Sequence, residues 1–120
     1  MLSLLGTILL AVSGAAFAQA PPAASPPPMR CETGPVKRTF GGTDWIVYSC
    51  DDQASMVVVS GEGNPASPFY FVLKPAGAGY TLSGEGNGDR TASDAAGAAL
   101  AKMSPAELAA LLAATREHPR

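Results

Sequence analysis

Between Val36 and Ser83 the chain alternates apolar runs with turn-forming stretches, and the brevity of those stretches limits the fold more than any other feature. Val36 to Phe40, Trp45 to Cys50, Ser55 to Ser60, Pro68 to Lys74 and Gly79 to Ser83 read as strands, rich in β-branched and aromatic residues. Between them lie Gly41-Gly42-Thr43-Asp44, Asp51-Asp52-Gln53-Ala54, the longer Gly61 to Ser67, and Pro75-Ala76-Gly77-Ala78. A parallel crossover needs roughly a dozen residues or more. These links are shorter, so consecutive strands are expected to run antiparallel as a meander. Alternation puts Trp45 and Val47 on one face of the second strand, Ile46 and Tyr48 on the other.

Beyond Ser83 the apolar period changes. Ser93 is expected to cap a helix reaching about Met103, with Ala95, Ala96, Ala99, Leu100 and Met103 at helical spacing. Ser104-Pro105-Ala106-Glu107 is a capping box with proline at the first helical position. Leu108, Leu111, Leu112 and Thr115 then form one stripe of a helix ending near His118. The expected fold class is therefore α+β: an antiparallel five-stranded curved sheet followed by two C-terminal helices. A chain of 120 residues holds one such domain, placed at residues 30–118.

The preceding residues read as an export address. Residues 1–29 carry no charged side chain, and an apolar run from Leu4 to Val12 ends in Ala16-Phe17-Ala18, a small-residue cleavage pattern. Residues 1–18 are expected to be a signal peptide, leaving no integral membrane segment after cleavage. Residues 19–29 hold five of the 11 prolines and read as a spacer. The expected location is the periplasm or outside, in a bacterial envelope. In such an oxidising compartment Cys31 and Cys50, the only two cysteines, are expected to form a disulfide. Their spacing is far wider than the C-x-x-C of redox pairs.

Composition excludes several function classes. Eight Lys and Arg against ten Asp and Glu leave a net charge of −2, so no basic surface is present to neutralise a run of phosphates, and nucleic acid is not an expected partner. One His and two Cys cannot complete a four-ligand Cys/His zinc site. His118, near the C-terminus, suits a helix end and needs no catalytic role. No catalytic residue, metal or cofactor is assigned.

Two features point toward binding. Ser60-Gly61-Glu62-Gly63-Asn64 recurs as Ser83-Gly84-Glu85-Gly86-Asn87, each copy at a predicted strand exit. In a meander the third and fifth strands run the same way, so both copies emerge on one side of the sheet. Glu62, Asn64, Glu85, Asn87 and Asp89 are thus candidates for a small ligand or cation. Oxygen-bearing side chains alternate with glycines from Glu85 to Asp89, but the twelve-residue pattern of a calcium-binding EF-hand is missing. The other feature is Phe69-Tyr70-Phe71-Val72-Leu73, a strand apolar on both faces. Helices cover one face of a sheet only, so Phe69, Tyr70 and Phe71 are candidates for an interface. The first expectation is a non-catalytic envelope protein that binds another protein or forms a homo-oligomer; the second is a binding module using the two Gly-Glu-Gly-Asn segments.

Overall fold

The computed structural model describes residues 28–117. The residues read as a signal peptide, most of those read as a proline-rich spacer, and His118 lie outside them. The order of elements is β1 (Thr33–Phe40), β2 (Thr43–Ser49), β3 (Met56–Ser60), β4 (Phe69–Ala76), β5 (Gly79–Gly86), α1 (Arg90–Ala101) and α2 (Pro105–Arg116). The five strands form one open sheet in sequence order, every neighbouring pair antiparallel. This is the α+β meander with two C-terminal helices that the turn lengths dictate.

Each turn has a chemical cause. Gly41 and Gly42, at φ 61° and 85°, join β1 to β2 through the paired left-handed residues that match strand twist. In the 51–54 turn the Asp52 carboxylate accepts hydrogen bonds from the Ala54 and Ser55 backbone N–H groups at 3.0 and 2.8 Å, and from the Ser55 hydroxyl. Partial desolvation raises the Asp52 pKa, but those bonds outweigh it and hold the carboxyl below the usual aspartate range. Cys31 and Cys50 are joined in a disulfide. It closes the open end of the β1–β2 hairpin, beside the Thr33–Ser49 pair.

The inner face of the sheet and one stripe of each helix make the core. Trp45, Val47, Met56, Val58, Phe71 and Leu73 meet Ala92, Ala96 and Leu100 from α1, and Leu108 and Leu111 from α2. Trp45 stacks at 5.2 Å on Phe71 and 6.2 Å edge-on against Phe69. A polar clasp joins sheet to helix: Thr115 Oγ1 lies 2.7 Å from Ser49 Oγ and 2.6 Å from the Leu112 carbonyl, with Ser49 and Thr115 both buried.

Helix α1 crosses the sheet from β5 to β1. The last residue of β5 is four positions before Arg90, yet the β1–β2 turn packs on Ala95 and Ala96.

Several boundaries differ from the sequence expectation. Helix α1 starts at Arg90, not after Ser93: Asp89 is the cap, its carboxylate accepting from the Thr91 N–H at 3.0 Å. Ser93 lies inside the helix and donates to the Arg90 carbonyl, satisfying itself locally. Strand β4 runs on through Pro75 because β3 has already ended: Met56 pairs with Leu73, and beyond it β4 has β5 alone as a neighbour. Strand β5 continues to Gly86, through residues whose composition reads as a turn.

Candidate functional site

The two pentapeptide copies occupy different environments. The first does leave its strand. Asn64 is buried, its amide donating to the Asp44 carbonyl at 2.7 Å and its side-chain oxygen accepting from the Ala66 N–H at 2.9 Å. Glu62 beside it is exposed. The second copy lies within β5, where Gly84, Glu85 and Gly86 pair with Phe71, Tyr70 and Phe69. Asn87 and Asp89 follow the strand. The Asn87 N–H donates to the Pro68 carbonyl at 3.0 Å, and Asp89 caps α1. Asn64 and Asp89 are thus committed to holding the loops. Among the described residues, no three His, Cys, Asp or Glu side chains cluster as they must to hold a metal ion.

The sequence-level run Phe69-Tyr70-Phe71 divides by the two-residue period of a strand. Phe71 is buried and Phe69 half-buried, both packed with Trp45, so these two belong to the core. Tyr70 faces the other way and is 41% exposed. It is joined on this outer face by residues whose register forms two cross-strand rows. One row is Ile46, Val59, Tyr70 and Glu85; the other is Tyr48, Val57, Val72 and Ser83. The five other apolar members, Ile46, Tyr48, Val57, Val59 and Val72, are each half-buried. Both helices lie on the opposite face, where their buried residues join the Trp45 core.

At the end of the first row the Tyr70 hydroxyl donates to the Glu85 carboxylate at 2.8 Å. That hydrogen bond, with the negative charge of Glu85 beside it, raises the Tyr70 pKa above the usual phenol value. The phenol is therefore neutral at ordinary pH, tethered to β5 through Glu85. No protein-family model matches this chain, and no curated protein or solved structure does.

The edge beside this row is thin. Phe69 and Phe71 lean across β5, where a Cβ on Gly84 would come within 2.8–2.9 Å of both rings. On the helix side, a Cβ on Gly97 would approach Phe71 to 3.2 Å. The Phe71 ring is thus sandwiched between a strand glycine and a helix glycine. A groove of about 1130 Å³ opens along Gly84–Gly88. Alternation along β2 and β3 marks Ile46, Tyr48, Val57 and Val59 as outer-face residues. The part hidden from sequence is the glycine edge, since Gly84 and Gly86 resemble a turn until their pairing with β4 is known.

Proposed function

We propose that the protein is an exported, non-catalytic protein-interaction module that presents the outer face of its sheet to another polypeptide. The observation that carries this reading is the apolar face of Ile46, Tyr48, Val57, Val59, Tyr70 and Val72, which no element among the described residues covers. Antiparallel sheets that face water normally alternate apolar inside with polar outside. Here three neighbouring strands keep apolar residues on both faces, and both helices are already used on one of them. Contiguous apolar surface of this kind marks contact sites.

Export is supported by the disulfide, a bond that persists in oxidising compartments, and by the apolar leader and cleavage pattern of residues 1–18. Among the described residues, no helix is long and apolar enough to cross a membrane. The two Gly-Glu-Gly-Asn segments lend less to a ligand site, because Asn64 and Asp89 already spend their side chains on the fold.

Photo-crosslinking tests the reading. A benzophenone side chain replaces Tyr70 on the outer face, or Ala110 on the exposed side of α2, in the chain expressed in its own cell. Light-dependent adducts to a polypeptide are expected from position 70 and not from position 110. Their absence at 70, or equal adducts at both positions, contradicts the proposal.

A further inference from the structure

The two edges of the sheet are built differently. Edge strand β1 carries Pro35, a break in register between Thr33 and Val36, and the exposed cations Lys37 and Arg38. Both helices also pack against it. Prolines, bulges, charges and covering elements are the devices that stop a sheet edge from pairing. Strand β5 has neither proline nor bulge, although α1 packs against it as well. Its register with β4 is unbroken over eight pairs, Phe69–Gly86 to Ala76–Gly79. It contains no proline, and its single charge, Glu85, is turned back over β4 by the hydrogen bond from Tyr70. Among the described residues, no backbone hydrogen bond outside the sheet ladder involves Gly79–Gly86.

We infer that β5 is a pairing edge for a second copy of this chain, joined antiparallel about Ser83 so that two sheets become one. This goes beyond the outer-face reading, because an edge-paired copy leaves that face open. The side chains of β5 carry the argument, because the strand is complementary to itself about that point. Antiparallel pairing about Ser83 sets Leu82 opposite Gly84 of the second copy, and Tyr80 opposite its Gly86. On the inner face, therefore, each large side chain meets a residue without one, beside the groove along Gly84–Gly88. On the outer face Lys74, which pairs with Thr81, falls in a row with Glu85 of the second copy. The two stand two strand spacings apart, roughly 10 Å between backbones. Glu85 keeps its hydrogen bond from Tyr70 over its own β4, so this row brings opposite charges onto one face without a close ion pair. The outer apolar rows of the two copies then lie on one continuous face.

Sedimentation velocity of the mature, disulfide-bonded chain at sub-millimolar concentration tests the inference. Ser83 is exposed and sits on the proposed axis, so Ser83→Lys places two ammonium groups side by side without touching the core. The wild type is expected to sediment as a dimer. Ser83→Lys is expected to dissociate about tenfold or more readily, with near-ultraviolet circular dichroism unchanged. Mixing Ser83→Lys with Ser83→Asp chains is expected to restore a dimer that neither forms as well alone. A monomeric wild type overturns the inference. So does a dimer indifferent to Ser83→Lys. If Val59→Lys on the outer face dissociates the dimer and Ser83→Lys does not, the edge inference fails while the outer-face reading stands.

Discussion

Thr115 and Ser49 are small, polar and buried where the chain has least room for polar groups. A hydroxyl has one proton, and the Leu112 carbonyl can only accept. With the Thr115 proton given to that carbonyl, Thr115 Oγ1 is left to accept from Ser49. The pair is satisfied within the core, and among the described residues no buried side-chain nitrogen or oxygen lacks a partner. Removing Thr115 strands the Ser49 hydroxyl, whereas Thr115 keeps its bond to Leu112 without Ser49. Thr115→Val keeps the shape and is expected to cost about 1–3 kcal/mol, the penalty of an unpaired buried hydroxyl. Ser49→Ala in the same chain is expected to recover part of that loss, so the double variant costs less than the sum of the singles. Urea unfolding of the four chains measures the coupling; strictly additive losses would mean that the contact does not join β2 to α2.

At the scale of elements, the glycines of the β1–β2 turn separate two effects that sequence merges. Both have positive φ, but a Cβ on Gly41 would fall 2.5 Å from the Ala95 carbonyl carbon, while one on Gly42 meets nothing within 4 Å. Gly42→Ala is expected to cost only the left-handed backbone penalty, about 1–2 kcal/mol. Gly41→Ala also pushes α1 off the turn and is expected to cost about 1–3 kcal/mol more. Denaturation midpoints of the two variants decide the matter, and equal values would contradict the close helix–turn contact. The turn itself is readable from the Gly41-Gly42 pair, as α2 is from Ser104-Pro105-Ala106-Glu107, because in both cases the determinant is local. The misplaced boundaries have non-local causes. Gly84 and Gly86 are held in a strand by aromatic rings from β4, Pro75 is tolerated because β3 has ended, and Asp89 rather than Ser93 starts α1 because the chain leaves β5 late. The candidate surface follows the same division. The alternation of Ile46 and Tyr48 against Trp45 and Val47 is visible in sequence, whereas Phe69-Tyr70-Phe71 reads as one apolar block until the register splits it between core and exterior.

At the scale of the whole molecule, a sheet of modest size spends one face on two alanine-rich helices, and among the described residues nothing covers the other. The Cys31–Cys50 bond closes a loop of about twenty residues, contributing on the order of 3 kcal/mol in the chain-entropy model. For a domain this small that is a substantial part of the net stability. A stapled scaffold can thereby tolerate an apolar exterior that a marginal one would bury by rearranging. The claim on which the functional account stands is that this exterior is occupied in the native setting. Carbene footprinting compares the chain in the cells that make it with the purified chain at low concentration. The expected result is loss of labelling on the outer-face residues of β3 and β4, Val57, Val59, Tyr70 and Val72, with exposed Ala109 and Ala110 of α2 labelled equally in both. Equal labelling of the outer face in the two settings, or protection confined to α2, would contradict it.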